Sequence, residues 1–166
     1  MVKRKKGISP VITTVLLILL SISAVVIIAG VIIPFIKDSL SGSKECFEVI
    51  GQLEIDTESI YTCYDDSNNL VNLTIKRGVK EIDLEGFMIA ISGGGTSETF
   101  EIEGGEVGNV EMLNGSSDIV IPKRGEERTY SITTTLSTLD YAEIAPIMKS
   151  GTTCEPTDKA EIEMCV

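Results

Sequence analysis

From Gly7 to Ile36 no side chain carries a charge, and no other feature of this 166-residue chain restricts its fold so severely. The stretch from Pro10 onward reads PVITTVLLILLSISAVVIIAGVIIPFI. Pro10 to Pro34 is 25 residues. At the rise of an α-helix that length reaches about 37 Å, enough to cross a bilayer core of roughly 30 Å. Apolar residues occupy every helical face, which rules out an amphipathic helix lying on a surface. Ser9 suits the N-cap and Pro10 the first turn, where a missing N–H costs nothing. Pro34 ends or kinks the last turn.

Charge is divided sharply by this run. Lys3, Arg4, Lys5 and Lys6 precede it, and all 25 acidic residues follow it with only ten basic ones, a net of −15. The basic cluster predicts a cytoplasmic N-terminus and an exterior remainder. A domain so acidic repels nucleic-acid phosphate, so no nucleic-acid partner is expected. Solubility is the plainest reading of the acidity; a salty habitat or a cationic partner surface is the alternative. The sequence has no His and no Trp, which removes the commonest general base and zinc ligand. Four cysteines, Cys46, Cys63, Cys154 and Cys165, all lie beyond the apolar run. An even count outside a membrane segment points to two disulfides formed in an oxidising compartment.

Three readings of the N-terminus compete. A secretory signal has an apolar core of roughly 7–15 residues, which this run exceeds. A signal anchor fits both length and charge. The third rests on the junction KRKKGISPVITTVLL, which resembles that of archaeal type IV prepilins. In that family basic residues and a Gly precede a cleavage point, and the hydrophobic helix after it stays in the mature protein. The matching residues are Lys5, Lys6 and Gly7, then Ile8, Ser9 and Pro10. The resemblance is strong over about 35 residues and loose beyond. It implies cleavage between Gly7 and Ile8 by a membrane-embedded aspartate protease, the prepilin peptidase, with Gly7 giving backbone access that a Cβ would block. Bacterial pilins usually carry a Glu at the fifth mature position; here that position is Ile12, as in the archaeal branch.

Residues 37–45 read as a polar linker, KDSLSGSKE, after which the periodicity changes. Val71, Leu73 and Ile75 alternate with Asn72, Thr74 and Lys76, predicting a half-buried strand with the latter three toward solvent. Phe87, Ile89 and Ile91 alternate with Met88 and Ala90, and Tyr130, Ile132 and Thr134 repeat the pattern. Phe100 with Ile102, and Ile119 with Ile121, suggest shorter strands. Asp65–Asn69, Gly93–Gly95, Gly104-Gly105, Asn114-Gly115 and Lys123–Gly125 read as turns between them. Residues 136–148 fit a short helix, a strand or both. The expected fold class is therefore α+β: one N-terminal hydrophobic helix (8–36) behind a basic leader (1–7), then an antiparallel β-sandwich-like domain (46–166).

No catalytic constellation emerges, and no enzyme activity, metal or cofactor is expected. Counted from Asp65 as an EF-hand, the sixth and twelfth positions hold Leu70 and Lys76 instead of Gly and Glu, so a turn is the better reading. Gly93-Gly94-Gly95 lacks the continuation of a P-loop. Glu101, Glu103 and Glu106 read as exposed strand charges. Asn72-Leu73-Thr74 and Asn114-Gly115-Ser116 are sequons and hence glycosylation candidates on an exterior domain. Local pairing, Cys46–Cys63 and Cys154–Cys165, is the expected disulfide arrangement, since each pair brackets a short strand-like segment; four cysteines allow three connectivities.

The resemblance implies a structural subunit of a type IV pilus-like or archaellum-like surface filament. Its partners would be other pilin subunits, the peptidase, the assembly machinery and, before assembly, the membrane. Ser21, Ser23, Ala24, Ala29 and Gly30 would provide the small surface that lets helices pack closely. The alternative is an uncleaved, signal-anchored surface protein whose sandwich binds a ligand.

Overall fold

The computed structural model describes residues 10–33, 36 and 44–165, and the chain divides into two compact units, Met1–Ser41 and Gly42–Val166. In the first unit α1 runs Pro10–Ile27 and continues as a wider π-helical turn, Ile28–Ile32, in which the N–H of Ile33 donates to the carbonyl of Ile28. Ile12–Ile32 is long and apolar enough to cross a membrane, and none of it is buried within the chain. Gly7, Ile8 and linker residues 37–43 lie outside the described residues.

The second unit opens with a short helix, α2 (residues 44–49), so residues 44 and 45 are already helical where the sequence suggested linker. Six residues carry too little periodicity to register as a helix. α2 turns Cys46 and Val49 toward the core. Among the described residues eleven strands follow: β1 (Leu53–Ile55), β2 (Cys63–Asp65), β3 (Leu70–Arg77), β4 (Leu84–Gly93), β5 (Thr96–Ile102), β6 (Gly105–Glu106), β7 (Val110–Met112), β8 (Asp118–Ile119), β9 (Glu127–Thr133), β10 (Tyr141–Met148) and β11 (Asp158–Glu161). One sheet has the order β1-β3-β9-β7, with β2 also pairing β3; a second has β11-β10-β4-β5; β6 and β8 form a small ribbon. Every strand pairing is antiparallel, and the two main sheets face each other across a single core. This is the α+β architecture expected from the alternation.

The core follows from period-2 patterning. Val71, Leu73 and Ile75 of β3, Phe87, Ile89 and Ile91 of β4, and Tyr130 and Ile132 of β9 are fully buried. Phe87 and Tyr130 meet across the sheets edge to face, with ring centroids 5.4 Å apart. The Tyr130 hydroxyl donates to the Val120 carbonyl at 2.8 Å, so the ring is buried without an orphaned polar atom. Burial drives the Tyr130 phenol well above its ordinary range, so it stays neutral. Gly86 is dictated by packing: a Cβ there would strike the Ile102 carbonyl of the neighbouring strand. The ambiguous residues 136–148 resolve into a loop and then β10, whose Ala142 and Ile144–Met148 are buried.

Two further expectations are corrected. Thr74, placed by alternation on the solvent face, is buried. The excursion between β1 and β2 folds over it, and its hydroxyl meets Ser59 Oγ and Thr129 Oγ1, both at 2.9 Å. All four cysteines form disulfides, but the pairs are Cys46–Cys154 and Cys63–Cys165, not the local ones. The reason is topological. Met164 bridges to Tyr64 in parallel, and Cys165 N–H donates to the Tyr64 carbonyl, which puts the chain end beside β2. Cys154 N–H donates to the Pro146 carbonyl beside α2, within reach of Cys46.

The distal end of the sandwich is held by Glu98, which turns inward from edge strand β5. Its carboxylate accepts hydrogen bonds from the hydroxyls of Thr134 (2.7 Å) and Thr135, and from the Thr135 N–H. The Thr135 hydroxyl bond, then Thr134, holds this carboxyl below its ordinary range. A depressed native value means the clamp stabilises the fold above the usual carboxylate range and is lost as pH falls through the native value. The melting-temperature gap between the parent and Glu98→Gln should therefore be largest at neutral pH and close as pH falls below the native value. A gap independent of pH would contradict the ionised clamp.

Candidate functional site

The apolar helix buries nothing in its own chain, so its surface is the first candidate. Every described side chain from Ile12 to Ile33 is exposed. Ser21 and Ser23 donate their hydroxyls to the carbonyls of Ile18 and Leu20, both at 2.8 Å. Each hydroxyl proton is satisfied within the helix, so neither serine presents a bare donor to lipid or to a packed neighbour. Ser21 and Ala24 lie three residues apart on one strip. Ser23 lies two residues from Ser21, roughly 160° round the helix, so small surface faces more than one direction. Ala29 and Gly30 fall in the π-helical turn, and a Cβ built on Gly30 would meet nothing within 4 Å. Gly30 is therefore not required by the helix itself.

The sequence gives no signal for that wide turn beyond its two small residues. Such turns occur where a helix accommodates a local irregularity, often at functional positions. Here it widens the helix where its side chains are smallest.

The second candidate is the end of the sandwich that the chain enters. α2 leads through Gly51 into β1, where Leu53 pairs with Arg77 at the end of β3. β4 starts and β10 stops at this same end, with Leu84 opposite Met148. β9 also starts here, with Glu127 opposite Lys76. Lys80 reaches back to donate to the Glu48 carbonyl of α2 at 3.0 Å, and its N–H donates to Gln52 Oε1. Ser150 Oγ and Glu45 Oε2 meet at 2.6 Å across a cleft of about 360 Å³ lined also by Glu48, Asp83 and Lys149. The cleft is open and mixed in charge.

Charge is unevenly spread over the domain. Among the described residues Lys159 is the only basic group away from this entry end. Lys159 sits on β11, paired with Glu143 at 3.1 Å and lying over the Tyr141 ring. Lys76, Arg77 and Arg128 occupy the entry-side ends of β3 and β9, and Lys80, Lys123, Arg124 and Lys149 its turns. Acidic groups there, Glu45, Glu48, Glu81, Asp83 and Glu126 among them, leave a mixed surface. The opposite end carries Asp65, Asp66, Glu98 and Asp140, with Lys159 over the Tyr141 ring as the one basic group near it among the described residues. This segregation is invisible until the topology shows which turns share an end.

The remaining predicted positions separate clearly. Asn114 is exposed at the turn after β7, where its Oδ1 accepts from the Ser116 N–H at 3.1 Å and Gly115 has φ +78°. Asn72, expected on an open face, is only half-exposed within β3, and its Oδ1 accepts from Ser131 Oγ at 2.6 Å. Asp65 is consumed by its own turn, accepting from the N–H groups of Ser67 and Asn68 and from Asn68 Nδ2. Glu101, Glu103 and Glu106 are exposed and do not converge. No protein-family model matches this chain, and no curated protein matches it either.

Proposed function

We propose that this chain is a structural subunit of an archaeal type IV pilus-like surface filament. It is processed by prepilin peptidase and polymerised through its N-terminal helix, with the outer domain facing the exterior. One observation carries the reading: a helix that is apolar on all sides and buries nothing in its own chain stands directly behind the Lys5-Lys6-Gly7-Ile8-Ser9-Pro10 junction. Such a helix needs an apolar environment outside the chain, either lipid or copies of itself. The self-contained, disulfide-stapled sandwich supports the same reading, since it can sit on a filament without lending its core to neighbours.

The mechanism is assembly without chemical turnover. The precursor inserts with its basic end inside. Four positive charges cannot enter an apolar helical core cheaply, so removal of Met1–Gly7 precedes polymerisation. Exchanging lipid for neighbouring helices costs little hydrophobic free energy, because the two surroundings are similarly apolar. Close packing then decides the outcome. The test is the N-terminal peptide of the chain from sheared surface filaments. A start at Ile8 is expected; a chain that stays in the membrane fraction and keeps its basic segment would instead support the uncleaved, signal-anchored surface protein.

An exterior domain with two sequons also predicts selective glycosylation. Asn114 is exposed on a turn that a transferase can reach, whereas Asn72 is engaged with Ser131 between strands. Glycopeptide mass spectrometry of material from the native cell should place the modification on the Asn114 peptide, with Asn114→Gln removing it. Modification at Asn72 alone would contradict this assignment.

A further inference from the structure

We propose that, before assembly, the entry end of the sandwich docks onto the headgroup region of the bilayer through an apolar patch formed by Phe47, Ile50 and Val79. The inference rests on the reading of the N-terminal helix as a membrane anchor. Phe47 and Ile50 stand three residues apart on the outer side of α2 and its following turn, 74% and 58% exposed, while Cys46 and Val49 face the core. Val79, on the β3–β4 turn, is 79% exposed. The β3–β4 turn is pinned to α2 by the bonds from Lys80 to the Glu48 carbonyl and to Gln52 Oε1, and by Gly78 N–H to the Gln52 carbonyl at 2.9 Å. Three large exposed apolar side chains gathered by fixed hydrogen bonds mark a binding surface more than scattered ones do.

A lipid surface is the occupant the observations favour. Only residues 37–43 separate the apolar helix from α2, a fully extended reach of roughly 30 Å at most. The patch is therefore tethered close to the point where the chain would leave the bilayer. Lys44, Lys123 and Lys149 lie at this end among Glu45, Glu48, Glu81 and Asp83, and these three exposed lysines have stems that can lie along an apolar surface while their ammonium groups meet phosphates.

The full chain, reconstituted in phosphatidylcholine vesicles containing lipid brominated near the headgroup, tests this. The protein lacks Trp, so single reporters can be introduced. Phe47→Trp and Val79→Trp place reporters in the patch. Ser137→Trp places one at the exposed distal loop, roughly 25–30 Å away along the strands. Loss of most of the emission from both patch variants, with none from Ser137→Trp, is expected. Quenching of Phe47→Trp without Val79→Trp would mean that only the tether approaches the lipid, and would overturn docking. Blue-shifted but unquenched patch emission that grows with protein density would give the patch to a second copy, overturning it equally. Chains that float with the vesicles while no reporter is quenched would refute docking and leave the anchor standing. Failure to float at all would remove both.

Discussion

Replacing Cys46 and Cys154 together by alanine is expected to lower the unfolding free energy of the sandwich by about 4–5 kcal/mol. The bond closes a loop with a sequence separation of 108, and Cys63–Cys165 one of 102. Chain-entropy reasoning assigns a loop near 100 residues about 4.7 kcal/mol, against about 3 for a loop near 15. Whole domains are stable by only about 5–15 kcal/mol, so losing both bonds should abolish folding at ordinary temperatures. The two loops also interleave: α2 is held to the segment after β10, and the chain end to β2. Urea titration of the β-sheet circular dichroism, comparing Cys46→Ala/Cys154→Ala with the parent in the same detergent, reads the loss. A change under about 2 kcal/mol would mean that the reduced chain retains its compactness or that the bond strains the native state. Non-reducing peptide mapping should recover Cys46 linked to Cys154, and a Cys46–Cys63 peptide would refute the connectivity outright.

The disulfides mark where sequence reasoning stops. Alternation along β3, β4 and β9 identifies the core because each side chain's face is decided by its immediate neighbours. Disulfide pairing depends on which distant segments share a sheet edge, and no local pattern encodes that. Thr74 fails for a related reason. Its alternation is regular, but the excursion between β1 and β2 returns over the outer face of β3 and buries it through Ser59 and Thr129. Asn72 loses its exposure on the same face, to Ser131 of β9. Asn114 is legible because a turn residue followed by Gly needs no tertiary context. The helix is legible as an element from its composition alone. Its wide turn at Ile28–Ile32 is not, and neither is the gathering of basic residues at the entry end, which needs the order of the strands.

If the chain is the filament subunit proposed above, replacing Ala29 and Gly30 together by leucine is expected to abolish filaments containing it while sparing membrane insertion and the proposed cleavage between Gly7 and Ile8. Insertion depends on apolar length and on flanking charge. The substitutions raise hydrophobicity and leave the basic cluster untouched. The proposed cleavage would depend on the junction around Gly7, more than 20 residues away in sequence. The helix itself should tolerate the change: space beside Gly30 is open, and leucine is a better helix former than glycine by nearly 1 kcal/mol. What changes is the closest approach of a neighbouring backbone. Helices in an apolar core gain association energy from close packing rather than from burial, and small residues are what permit it. Two leucines in a turn that is already wide would hold a neighbour off and forfeit those contacts along the adjoining turns. Repeated in every subunit of a polymer, the loss is multiplied by the number of contacts each helix makes. Fractionation should then find the processed variant wholly in the membrane, with none in sheared filaments. Ser21→Ala provides the matched control. It removes a hydroxyl bonded within its own helix and keeps the surface small, so assembly should survive. If the double-leucine variant polymerises like the parent, the wide turn is not a packing site, and the contacts that build the filament lie elsewhere on the helix or on the sandwich.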